Sequence, residues 1–91
     1  MFNQNEAVKI SDSVFFEKIN DYEMFAINVT SGVFVSIDEI GLRILQYIKE
    51  PRFLNEIIEM IKTEYDCPED ITDDITDFIN RTVEEGFAVQ V

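Results

Sequence analysis

The chain has 91 residues, 46% of them hydrophobic, which is enough for one domain around one small core and too apolar for general disorder. Seven Lys and Arg stand against 19 Asp and Glu, a formal charge of −12, so the chain repels phosphate backbones and anionic lipid; it is not expected to bind nucleic acid or membrane. There is no His and one Cys, Cys67, which removes the commonest general base, an internal disulfide and a cysteine zinc site.

From the N-terminus, residues 1–12 read as a flexible arm or an extra edge strand, and 13–91 as the domain proper. The first residues lack a basic stretch followed by an apolar one, so no signal peptide is expected. No apolar run approaches the roughly 20 residues of a membrane helix, and a cytoplasmic location is the expectation.

Residues 14–19, VFFEKI, are rich in strand formers. Asn20-Asp21-Tyr22-Glu23 is a turn, because Asn and Asp bond their own backbone. A second strand covers 24–29 and a second turn 30–32, where Gly32 is free to take positive φ. A third strand covers 33–37, VFVSI. Two short connections between three strands predict an antiparallel meander.

The apolar period then lengthens from 2 to 3.6. Asp38 is an N-cap, and Ile40, Ile44, Leu45 and Ile48 share one face of a helix over about 39–50, ended by Pro51. Gly41 inside it costs on the order of 1 kcal/mol relative to Ala, which close packing on the sheet is expected to offset. A second helix covers about 54–65, with Leu54, Ile57, Ile58, Ile61 and Tyr65 on its apolar face. Asp66-Cys67-Pro68 breaks it. A third runs from about 69 to 85 with Ile71, Ile75, Phe78, Ile79 and Val83 in its stripe. Gly86 follows at the C′ position, before a short extended tail that is a candidate to pack on the sheet. Strands first and helices second make an α+β fold, a three-stranded antiparallel sheet followed by three helices, with a winged helix-turn-helix-like outline.

Catalytic chemistry is hard to find. The three glycines are isolated, so no phosphate loop exists. Asp66, Glu69, Asp70, Asp73 and Asp74 lack the spacing and the glycine of a calcium loop; acidic residues in a first helical turn are accounted for by the macrodipole. Cys67 sits in an acidic setting with no activating partner. Asp12-Ser13-Val14 is a faint likeness to the serine motif of carrier proteins, but it precedes a strand and not a helix. The chain is read as a non-enzyme with no cofactor and no metal.

The residues do resemble a family. Val33-Phe34-Val35-Ser36-Ile37-Asp38, then Ile40-Gly41 with Ile44-Leu45, then Leu54-x-Glu56-Ile57, Tyr65-Asp66-x-Pro68, Asp74-Ile75-x-x-Phe78-Ile79 and Gly86-Phe87 resemble, in order, the PqqD-like proteins, the precursor-peptide recognition elements of ribosomal natural-product pathways. The likeness runs from Val14 to the end. Two positions depart from it: Phe53 stands where a Thr or Ser cap is usual, and Thr82 where a Leu is usual.

The resemblance implies a mechanism. Members hold the leader segment of a precursor peptide as an added strand, in the groove between the third strand and the third helix, and present it to a modifying enzyme or leader peptidase. Carried onto this chain, the peptide-binding candidates are Val33, Phe34, Val35, Ser36 and Ile37 on the strand, and Thr72, Ile75, Thr76, Ile79 and Val83 on the helix. Asp73, Asp77 and Arg81 are candidates for the polar rim. The plainer reading of each apolar residue is core packing, and of each charged one a solvated surface. Which face of the third strand meets the core is open at this point. The alternative function is a general winged-helix-like protein-interaction module that does not bind nucleic acid.

Overall fold

The computed structural model describes residues 5–65 and 71–91. Strands β1 (Val8–Ile10), β2 (Val14–Lys18), β3 (Met24–Asn28) and β4 (Val33–Ile37) come first, then helices α1 (Glu39–Tyr47), α2 (Leu54–Glu64) and α3 (Thr72–Glu84), then strand β5 (Ala88–Gln90). The three strands expected from the sequence form one antiparallel sheet in the order β2-β3-β4, and three helices follow it in the α+β layout.

Both turns of the meander are built by asparagines. Asn20 Oδ1 accepts from the Tyr22 backbone N–H at 2.7 Å. Asn28 Oδ1 accepts from the N–H groups of Thr30 and Ser31, and Gly32 takes φ +75 to turn the chain into β4. These turns set the register: Val14↔Asn28 and Phe16↔Ala26 on one side of β3, Ala26↔Val35 and Asn28↔Val33 on the other.

Asp38 caps α1 as expected, its Oδ1 accepting from the Gly41 N–H at 2.7 Å. The helix stops at Tyr47, three residues before the expected end. The Ile48 carbonyl is taken instead by the Ile10 N–H at 2.8 Å, which draws that turn onto β1. Phe53 supplies no cap side chain to α2; the Glu56 carboxylate accepts from the Phe53 N–H at 2.9 Å and does half of that task. At the end of α3 the Gly86 N–H bonds the Val83 carbonyl and the Phe87 N–H the Thr82 carbonyl. With Gly86 at φ +81, this is the Schellman arrangement expected from the glycine. The break at 66–68, and with it the turn of the helix-turn-helix likeness, lies outside the described residues, as does the first part of the third helix as expected from the sequence.

The C-terminal tail is extended, and Phe87 at its start joins the core cluster with Ala26 of the main sheet. The tail forms β5, which pairs antiparallel with β1 as a separate two-stranded sheet, with Val8 opposite Gln90 and Ile10 opposite Ala88. Val8 is fully buried and also exchanges backbone hydrogen bonds with Arg52, so residues 8–10 are a strand within the packed unit. One expectation is corrected: the atoms nearest Gly41 are not those of the sheet. A Cβ there would lie 3.1 Å from the ring of Phe78, so the close approach is between α1 and α3.

The core gathers Ile44, Leu45 and Ile48 after the sheet, Leu54, Ile57 and Ile61 on α2, Ile75 and Ile79 on α3, and Val8, Val14, Ala26 and Phe87 from the strands and their flanks. Each large side chain buried there is worth roughly 1.5–3 kcal/mol. No side-chain polar atom among the described residues is buried without a partner. No helix among them is long and apolar enough to cross a membrane.

Candidate functional site

Strand β4 ends the three-stranded sheet, so among the described residues one of its two edges has no strand beside it. Its alternation decides the question that the sequence left open. Val35 and Ile37 pack toward the helices with the core, while Phe34 and Ser36 face outward, Phe34 with 65% of its surface exposed.

A cavity of about 210 Å³ opens between β4 and the C-terminal half of α3. Val35, Ser36, Ile37 and Asp38 line it from the strand side, and Phe78, Arg81, Thr82 and Glu85 from the helix side, over a floor of Ala26, Leu45 and Phe87. A second cavity of about 330 Å³ lies between α1 and α3 and shares Asp38, Phe78 and Arg81 with the first. Together they form a trough along α3. Its floor is apolar, and its rim carries Asp38, Asp74, Asp77 and Glu85 around one cation, Arg81. Such a trough suits an extended segment that offers alternate apolar side chains inward and basic or polar ones at the rim.

The strand candidates Val35, Ser36 and Ile37 all line the trough. Val33, 44% exposed, and Phe34 do not. On α3 the wall is rotated from the expected stripe. Ile75 and Ile79 are buried at 2% and 0% exposure, Ile79 inside the core and Ile75 at the floor of the second cavity. Thr72, Thr76 and Asp73 line a different hollow, beside Phe53, Leu54 and Ile58 of the α2 start. Val83 is half-buried against the core. The residues that do face β4 lie three further along, Phe78 after Ile75 and Thr82 after Ile79. Three residues is one ridge step around a helix at 3.6 residues per turn. The aliphatic stripe went to the inter-helix core because those side chains gain most from full burial, and the mixed stripe was left for the trough. Of the polar candidates, Asp77 and Arg81 sit on the trough and Asp73 does not.

Sequence reasoning passed over Asp38, Leu45, Glu85 and Phe87 as trough residues. The departure at Thr82 was the available signal. It is a polar residue at an apolar position, 8% exposed, and its hydroxyl donates to the Ile79 carbonyl at 2.7 Å. Remote from the trough, Arg43 Nε donates to both oxygens of Glu64 at 2.8 and 2.9 Å, which pushes the guanidinium pKa up, and the Tyr47 hydroxyl donates to the same carboxylate. That cluster clips α1 to α2. Ser13 accepts from the Thr30 hydroxyl at 2.8 Å at the entry to β2, with no helix beginning at it. Among the described residues, no group of three His, Cys, Asp or Glu is placed to hold a metal ion.

An open strand edge beside a helix-walled trough, built on a meander and three helices, defines a class of small α+β domain to which an extended segment can add as a strand. The sequence matches the family model described as coenzyme PQQ synthesis protein D (PqqD) over residues 23–88, and the chain belongs to that family. Among solved structures it is similar to TbiB1 in complex with the TbiA(beta) leader peptide, with a TM-score of 0.70 and 27% identity over 88% of this chain and 93% of that one. It also shares its fold with a lasso peptide synthetase B1 complexed with the leader peptide, with a TM-score of 0.69 and 19% identity over 90% of this chain and 96% of that one. No curated protein matches the sequence.

Proposed function

We propose that this chain binds the leader segment of a ribosomally made precursor peptide as a further strand on β4, laid over the trough against α3. It then presents the peptide to a modifying enzyme or leader peptidase in natural-product biosynthesis, doing no chemistry of its own. The observation that carries this reading is the edge of β4 left unpaired among the described residues, flanked over Val35–Ile37 by the trough that Phe78, Arg81 and Thr82 wall. Family membership and the leader-bound relatives support it.

The energetics fit. Each backbone hydrogen bond formed along the edge adds a net of roughly 0.5–1.5 kcal/mol, independent of the leader's sequence. Inward side chains of the leader bury against Ala26, Leu45 and Phe87 at roughly 25 cal/mol per Å² of apolar surface, and these supply selectivity. The acidic rim favours a leader with basic residues at the positions that face Asp77 and Glu85.

The test is a titration of the protein with fluorescently labelled leader segments of candidate precursor peptides, run in parallel with Val35→Pro. The parent is expected to bind saturably and the variant, which cannot offer a regular β4 edge, to lose binding while its helical circular dichroism persists. Equal binding by the variant would rule out edge pairing along β4.

A further inference from the structure

The outer face of the three-stranded sheet is apolar where an antiparallel sheet with one solvated face is ordinarily polar. Phe15, Ile27 and Phe34 stand directly opposite one another across β2, β3 and β4, exposed at 62%, 37% and 65%. Phe25 joins them, its ring edge-on to that of Phe34 at 6.3 Å. None of the four belongs to the core cluster. A contiguous aromatic patch of this kind on a small protein marks an interaction surface.

We infer that this face docks the maturation enzyme that acts on the held peptide, through an enzyme surface that is apolar at its centre and rimmed by Lys or Arg. The inference rests on the reading of β4 as the peptide-binding edge. Two observations choose this occupant. The first is charge. The segment 12–37 that makes the sheet carries Asp12, Glu17, Asp21 and Glu23 against Lys18, and Lys18 is paired with Asp21 at 3.4 Å. Glu17 lies in the row next to the patch, opposite Phe25. Two copies of a chain of charge −12 repel across such a face, whereas a basic rim is drawn to it. The second is continuity. The row Phe15–Ile27–Phe34 runs out to the open edge of β4, so a strand added there sends alternate side chains outward beside Phe34 and widens the patch by one column. The surface is therefore complete only when the peptide is bound, and the enzyme reads carrier and cargo as one face.

Phe15→Thr and Glu17→Lys separate this from peptide binding, since both positions are on β2, two strands from the β4 edge, and Thr keeps the strand propensity. The probes are a labelled leader peptide that the parent binds and a purified peptide-modifying enzyme or leader peptidase that acts on it. Leader affinity of both variants is expected to stay at the parent's value. Enzyme affinity for the leader-loaded chain is expected to fall roughly tenfold with Phe15→Thr, as for an aromatic anchor at an interface centre. It is also expected to fall with Glu17→Lys, and to be weaker for the leader-free parent than for the loaded one. Enzyme affinity unchanged in Phe15→Thr would overturn the inference. So would loss of leader binding in that variant, which would put the peptide itself on this face, or a parent that sediments as a dimer and a variant that sediments as a monomer, which would put a second copy there. A parent that binds no leader at all would instead overturn the reading of β4 and this inference with it.

Discussion

The side-chain amide of Asn28 donates to the Gly86 carbonyl at 2.9 Å across 58 residues of sequence, and so ties the end of β3 to the end of α3. The same side chain, 7% exposed, closes the β3–β4 turn through its oxygen. One residue thus shapes the turn that launches β4 and anchors the helix that walls the other side of the trough.

Asn28→Ala removes both roles and leaves the turn N–H groups and the Gly86 carbonyl to find water. A loss of about 1–3 kcal/mol is expected in urea unfolding at unchanged m-value, and Asn28→Asp should recover the turn but not the bond to Gly86. A variant as stable as the parent would mean that the tie contributes nothing net.

Gly41 is held against Phe78 and the Asp38 cap. An added methyl would meet the Phe78 ring and the Asp38 carboxylate at 3.1 Å. Gly41→Ala gains about 1 kcal/mol in helix propensity, and overpacking costs about 1–3 kcal/mol. The expected result is a chain less stable by up to about 2 kcal/mol. Because Phe78 lines both cavities, the ring is displaced into the trough and leader affinity falls with stability. Adding Phe78→Leu to Gly41→Ala should restore part of the stability. Thermal unfolding of the single and double variants checks this, and additive effects would show that the two positions do not touch.

Thr82→Leu places the usual family residue in the trough. The Thr82 hydroxyl bonds only its own helix, so its removal strands no distant partner. Stability should be unchanged or higher by about 1 kcal/mol from the added apolar burial. The cavity narrows, and the affinity for this chain's own leader should fall roughly tenfold if an inward leader side chain occupies it. Thr82→Val, which keeps the volume, should bind like the parent. Titration of the labelled leader with both variants distinguishes a groove residue from a core one: a core role alone would leave both affinities unchanged.

The sequence by itself determined the three-stranded meander, the three helices and their order. The switch of apolar period after Ile37, the cap at Asp38, the helix stop signalled by Gly86 and the turns at 20–23 and 30–32 are local features, and local chemistry acts on neighbouring residues wherever the chain sits. The family likeness was equally legible, because order and spacing are linear properties. What needed the tertiary structure was every question of facing. Val35 and not Phe34 turns inward because the helices cover one side of the sheet and leave the other bare, which alternation alone cannot say. Ile79 went to the core and Ile75 to the floor between α1 and α3, while Phe78 and Thr82 face β4, because three helices compete for the same apolar surface, and a stripe on one helix does not record which neighbour it meets. Residues 8–10 and 88–90, legible only as an arm or edge strand and an extended tail, become one sheet because each satisfies the other's backbone.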